Sequence, residues 1–288
     1  MEELEKSDKI CIPRTVKPDG NMQYASIGWD WTAGFYPGSL WYLYNLTEEE
    51  YWKSLAEKYT EALEKMQYNT SHHDVGFIIG CSYMNGIRMG GEEKYKPVVV
   101  QAAKSLSTRF RPVAGVIQSW NTQKGWQSER GWKCPVIIDN MMNLELLFEA
   151  TRLSGDSTFY NIAVSHADKT LKNHFRKDGS SYHVVDYDPE TGEVRSRSTA
   201  QGYADESAWA RGQAWVIYGY TMCYRYTHNP AYLKQAERTY DFIFTHTNMP
   251  EDLVPYWDYD ALNIPNEPRD VSSAAITASA LYELSSAT

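Results

Sequence analysis

Five aspartates stand at matching places along the chain, each just ahead of an apolar stretch. They are Asp30 in GWDWTAGF, Asp74 in SHHDVGF, Asp139 in IIDNMMN, Asp205 in YADESAWARGQAW and Asp270 in PRDVSS. Any one of them is as readily a helix N-cap as a reactive group, because an Asp carboxylate satisfies the free N–H groups of a first helical turn. Five together, flanked by Trp, His, Arg and Gln, call for more. Asp139 has the least polar company, following Pro135-Val-Ile-Ile and preceding Asn140-Met-Met. Desolvation raises a carboxyl pKa, and a neighbouring carboxylate raises it further. A carboxyl that stays protonated near neutral pH is what a general acid needs. Asp74 is the natural second member, since two carboxylates sharing a dry pocket do not both ionise readily. Helix dipoles at the same places act in the opposite sense, and residue types alone do not rank the two effects.

Around these acids lie groups suited to a ligand. Arg211 and Gln213 beside Trp209 and Trp215 combine a planar cation, an amide and two rings, a plausible pocket for an anion at a helix start; ion pairing to a neighbouring Asp and core packing are the equally simple structural reading. His72, His73 and His183 have no His-x-x-x-His spacing, so a zinc site is not expected, and a lone His is more often structural. There is no Gly-x-Ser-x-Gly elbow, P-loop or Gly-x-Gly-x-x-Gly, which disfavours serine hydrolase, nucleotide and dinucleotide chemistry.

The elements that must carry these residues follow from a fourfold repeat. Copies beginning at Tyr51, Tyr95, Tyr160 and Tyr232 place apolar residues four and eleven positions later, one face of a helix. Thr47, Ser157 and Asn229 are the expected N-caps in the short connectors ahead of three of them. Upstream of each connector runs a more apolar, Gly-containing helix, expected over 33–45, 76–89, 140–153 and 212–226, with a fifth over 271–286. Segments apolar nearly all round need neighbours on every side, so inner helix, tight turn and outer helix form a hairpin, and the hairpins close into a toroid. If the inner helices run parallel, the five aspartates meet at one mouth. The links 111–136 and 175–206 are long and turn-rich, and SSYHVVDYDPETGEV in the second predicts a small β-hairpin. No composition shift marks a boundary, so residues 1–288 are expected to form one domain.

Composition narrows the partners. The 288 residues carry 28 Lys+Arg against 37 Asp+Glu, a formal charge of −9, which argues against a nucleic-acid or anionic-membrane surface. No run approaches the ~18 apolar residues of a spanning helix. Cys11, Cys81, Cys134 and Cys223 lie far apart and are expected to be free thiols. The 22 Tyr and 10 Trp are an excess of flat amphipathic rings, which suit sugar faces as well as cores.

In order and spacing, DWTAGFYPG, HHDVGF, IIDNMMNLELL, SSYHVVDYDPETG, QGYADESAWARGQAW and RDVSSAAITASALYELS resemble the unsaturated glucuronyl hydrolases of glycoside hydrolase family 88, from about residue 20 to the end. WARGQAW is the most specific string, since the related unsaturated rhamnogalacturonyl hydrolases look more like W-x-RG-N-GW there. The resemblance implies an all-α, (α/α)6 barrel that removes a Δ4,5-unsaturated uronic acid from lyase-generated oligosaccharides of a glycosaminoglycan or similar polymer. It implies Asp139 as general acid/base and Asp74 as the acidic residue beside it, with Trp31, Phe35, His183, Gln201, Trp209, Arg211 and Trp215 lining the sugar pocket. No metal or cofactor is implied. Against six hairpins in the family, four and a single inner helix are counted here, with a clipped helix expected before residue 8. An incomplete toroid would expose apolar surface and favour a homodimer. Three other readings stand beside this one, an unsaturated rhamnogalacturonyl hydrolase, a sugar epimerase on the same barrel type and a non-catalytic carbohydrate-binding barrel. Compartment is left open between a bacterial cytoplasm and periplasm.

Overall fold

In the computed structural model, which describes residues 10–286, the sequence repeat folds as helical hairpins. The inner and outer members alternate as α1 (Phe35–Thr47), α2 (Glu50–Glu61), α3, α4 (Lys96–Ser107), α5 (Leu144–Ser154), α6 (Ser157–Asn173), α7 (Ala210–Thr227), α8 (Pro230–Thr245) and α9 (Val271–Leu284). Helix α3 is composite: an α turn Val75–Ile79, a π turn Gly80–Met84 and an α turn Asn85–Gly90. The inner set packs in sequence, α1 on α3, α3 on α5, the start of α5 on α7, and α7 on α9. The clipped helix expected before residue 8 lies outside the described residues.

Each inner helix from α1 to α7 ends the same way, with a residue in the left-handed region: Glu48 (φ 57°), Gly91 (φ 69°), Gly155 (φ 76°) and His228 (φ 53°). That conformation releases the chain into the tight turn before the outer helix, at no steric cost where the residue is Gly. Close approach inside the ring explains another glycine. A Cβ on Gly76 would sit 2.6 Å from Asn143 Cα, so α3 and the turn before α5 meet with no room for a side chain. Around these contacts lies one large apolar core containing Trp41, Tyr83, Leu106, Leu147, Tyr220 and Tyr232. The indole of Trp41 donates to Thr60 Oγ1 at 2.9 Å, so the buried N–H has a partner. Away from the aspartates, Arg88, Glu145, Arg225 and Glu283 tie α3, α5, α7 and α9 together through pairs of 2.7 to 2.8 Å.

Several expectations need correction. Ser157 is the first helical residue of α6, and Asp156 is the cap, accepting from Thr158 N at 2.9 Å. Thr47 ends α1, its hydroxyl donating back to Leu43 O, and Glu49 precedes α2 with no side-chain cap bond. Asn229 does cap α8. Among the five aspartates, Asp30 and Asp270 cap as expected, but Asp205 lies four residues before the true N-cap Trp209 and accepts instead from Thr199 N. Asp139 lies inside a 3-10 turn, Ile138–Asn143, that runs into α5.

The links carry more strand than expected. β1 (Ile12–Val16) pairs with β2 (Met22–Ala25), and β3 (Phe110–Arg111) with β4 (Val116–Ile117). The expected hairpin is β6 (Val184–Tyr187) and β7 (Val194–Ser198), and β5 (Cys134–Ile137) joins it to give an antiparallel sheet ordered β5-β6-β7. Pro135 is accommodated because β5 is an edge strand.

Candidate active site

Asp139 owes its position to the end of β5. Ile137 N donates to Ser119 Oγ at 3.0 Å, Ile138 N to His183 O at 2.9 Å, and the Asn140 amide to Ile117 O at 2.7 Å, so the chain on both sides of Asp139 is pinned. The carboxyl is buried, with the residue 8% exposed, yet it reaches a cavity of about 460 Å³. Asp74, Trp31, Gln201, His72, Trp29 and Trp120 line the same cavity. Burial, and then the charge of Asp74, push the Asp139 pKa up to about 7. Asp74 moves the other way. Burial alone would raise it, but the His73 and His72 imidazoles and the Arg109 guanidinium outweigh burial and hold its carboxyl below the ordinary value. The pair therefore divides into one protonated and one ionised carboxyl near neutrality.

His183 faces Asp139 from the start of the β-hairpin. Its Nδ1 accepts from the backbone N–H groups of Ala200 (3.0 Å) and Gln201 (3.2 Å), so the neutral ring carries its proton on Nε2. Burial pushes its pKa down to about 3, which keeps the ring neutral. Nε2 stands 3.8 Å from Asp139 Oδ1, and neither buried atom has a hydrogen-bond partner among the described residues. An entering ligand group therefore finds a donor and a carboxyl oxygen facing each other. The same two backbone bonds fix Gln201 at the cavity wall, where its Oε1 accepts from Arg211 Nη2 at 3.3 Å.

The other expected pocket residues fall in two places. Trp209 is buried, its ring 4.7 Å from that of His183 and the Arg211 guanidinium likewise 4.7 Å from it. Arg211 is not an unpaired cation, since Nη1 donates to Asp270 Oδ2 at 2.6 Å. Phe35 and Trp215 line a second cavity of about 450 Å³ among the inner helices. Trp31, which lines the first cavity, packs ring to ring on Phe35 and Phe77, and Phe77 on Trp215, at 5.3 to 5.6 Å; the last three line the second cavity, so the four form an aromatic wall.

Sequence reasoning passed over the segment after Trp120. Asn121, Lys124, Gly125, Trp126 and Gln127 come from the link read only as turn-rich, and they form a cavity wall with Trp120. Trp120, Trp126 and Trp132 pack on one another at 5.1 to 5.9 Å, and three Trp within thirteen residues were the signal available. Among the described residues, no group of three or more His, Cys, Asp and Glu is arranged to hold a metal ion, and no helix is long and apolar enough to cross a membrane. All four cysteines are free.

Comparison with known proteins matches the glycosyl hydrolase family 88 model to residues 8–284. An unsaturated glucuronyl hydrolase of Formosa agariphila is 49% identical over 257 residues, which are 88% of this chain and 63% of that protein. One from Bacillus sp. strain GL1 is 37% identical over 273 residues, 93% of this chain and 71% of that protein. The chain thus spans 63 to 71% of the length of these two curated relatives. It is also similar to the crystal structure of an unsaturated glucuronyl hydrolase specific for heparin, with a TM-score of 0.93 and 43% identity over all of this chain and 75% of that one.

Proposed function

The chain belongs to glycosyl hydrolase family 88 and has its (α/α)6-barrel architecture, and from that premise we propose that it serves to release a Δ4,5-unsaturated uronic acid from the non-reducing end of an oligosaccharide. The observation that carries the reading is the division of Asp139 and Asp74 into a protonated and an ionised carboxyl on one cavity. The C4=C5 bond of such a sugar is an enol ether. Asp139 delivers a proton to C4, leaving an oxocarbenium-like centre at C5, and its conjugate base then takes a proton from the water that attacks C5. The resulting hemiketal opens and expels the remaining saccharide. Carboxylate spacing rules for displacement at an anomeric carbon therefore do not apply. The anionic Asp74 keeps the acid protonated between turnovers. His183 Nε2–H, facing Asp139 Oδ1, is placed to orient the sugar or the water, and Trp31 offers a flat face to the unsaturated ring. Arg211, neutralised by Asp270, acts through Gln201, and Trp209 packs against His183. Phe35 and Trp215 act through the aromatic wall behind Trp31. The substrate is an oligosaccharide of glycosaminoglycan type, and the whole chain works as one catalytic domain.

Incubation of the protein with a lyase-generated unsaturated disaccharide tests the reading. Loss of the enol-ether ultraviolet absorbance is expected, and none with Asp139→Asn. Undiminished turnover by that variant would remove Asp139 from the reaction.

A further inference from the structure

A short strip of chain, residues 118–121, is bonded to the segments that carry both carboxyls of the site. On one side His73 N donates to Ser119 O at 3.1 Å, and His72 and Trp120 face each other in an antiparallel bridge. On the other, Ser119 N donates to Pro135 O at 2.9 Å, and Ser119 Oγ accepts from Ile137 N at 3.0 Å. The strip thus joins the residue before Asp74 to the end of β5 just ahead of Asp139, and its place sets the spacing of the two. It is held in turn by Arg109, which lies between α4 and β3 and is 2% exposed. Arg109 Nε donates to Gln118 O at 2.7 Å, and Nη1 donates to Asn121 Oδ1 at 3.1 Å and to Thr70 O at 2.6 Å. One guanidinium therefore grips both ends of the strip and the segment that leads into Asp74.

All three acceptors are neutral, and Nη2, also buried, has no hydrogen-bond partner among the described residues. A buried cation is ordinarily paired with an anion, because neutral acceptors offset its desolvation only in part. We propose that Arg109 is a positioning residue of the active site, its three bonds fixing the strip 118–121 against the segment of Asp74 and its unpaired charge favouring the ionised form of that carboxyl. Asp74 is the carboxylate whose charge acts on Arg109, and against burial Arg109 joins His73 and His72 in holding Asp74 below its ordinary value. Burial brings the guanidinium down only to about 10, so it stays protonated across the working range. The charged or titratable groups bearing on Asp74 are His73, His72, Arg109 and Asp139, and those bearing on Arg109 are Arg111, Asp74 and Cys134. The proposal rests on the hydrolase reading only for its kinetic consequence.

Two substitutions separate the grip from the charge. Arg109→Lys keeps the charge but cannot span three acceptors, whereas Arg109→Gln loses both. Each should lower kcat/KM for an unsaturated disaccharide by about 10- to 100-fold. The acid limb of the kcat/KM profile, where Asp74 takes up its proton, should stay within a few tenths of a pH unit of wild type in the Lys variant. In the Gln variant it should move up by about one unit, because removing a nearby cation raises a carboxyl pKa. A purely structural arginine would leave the two limbs alike, and equal limbs would overturn the proposal, as would wild-type kcat/KM in Arg109→Lys. Should the Gln variant fail to fold, Asn121→Asp sets a carboxylate against Nη1 at an exposed position and should move the limb up in the same way; an unmoved limb there overturns the proposal too. Amide hydrogen exchange needs no substrate, and in Arg109→Lys it should be faster at His73 and Ser119 while α7 keeps its wild-type rates. Unchanged exchange at both amides would remove the grip. Should the wild type fail to act on unsaturated disaccharides, the hydrolase reading falls, while exchange still decides whether Arg109 holds the strip.

Discussion

Replacing Asp139 by Asn separates two consequences of one buried carboxyl. Loss of a general acid should lower kcat by about 10²- to 10⁴-fold or more. Stability should change in the other direction. The folded-state pKa of about 7 lies above the ordinary 3.8, so the contribution of Asp139 is fully present below pH 3.8 and is lost as the pH rises through 7. Over about three pKa units this amounts to roughly 4 kcal/mol at most. Thermal melts of the Asn variant and wild type should therefore agree near pH 4 and diverge by pH 8, the variant being the more stable. Asp74→Asn removes the charge that assists burial in raising Asp139, so the alkaline limb of the residual kcat/KM profile should move to lower pH by about one unit. Asp139 and Asp74 were legible because residue type and position before an apolar run marked them, whereas Trp31 and Gln201 were reached only through the family resemblance of DWTAGF and QGY.

Helices were readable from periodicity to within a few residues, because the apolar positions that recur along α2, α4, α6 and α8 are the ones the ring must bury. Helix ends were less so. Thr47 and Ser157 have good capping chemistry, but the inner helix keeps the first and Asp156 pre-empts the second. The C-terminal ends give a cleaner rule, with four left-handed residues of which two are Gly. Glu48 is exposed and pays the steric cost that Gly91 avoids, so Glu48→Gly should raise unfolding free energy by up to about 1 kcal/mol in denaturant titration. Gly76→Ala should do the reverse. Its added methyl meets Asn143 within 2.6 Å, with main-chain atoms on both sides, and a cost of about 1 to 3 kcal/mol is expected. Because Asn143 is the atom set displaced, that variant should also disturb His73.

At the scale of the molecule, α9 presents Val271 (67% exposed), Ala275, Ala278 and Tyr282 (83% exposed) to solvent at helical spacing, a continuous apolar stripe among the described residues. Sedimentation of this chain should show concentration-dependent self-association that Val271→Glu and Tyr282→Glu together reduce; a monomer at all concentrations would contradict it. The ring itself was inferable from five apolar helices, but the cavity wall from Trp120 to Gln127 was not, because an irregular link has no period to read. One detail of α3 bears on how the two ends of that ring are coordinated. The π turn at Gly80–Met84 lodges one surplus residue between Asp74 at the mouth and Arg88 in the ion-pair network. A π turn closes over one more residue than an α turn, so deleting Gly80 and letting the helix heal as a regular spiral would leave the carboxylate and the guanidinium in nearly the same phase. The wide turn thus works as a local spacer, and shortening it by one residue should leave a well-wound helix with Asp74 still at the mouth and Arg88 still in its ion pairs.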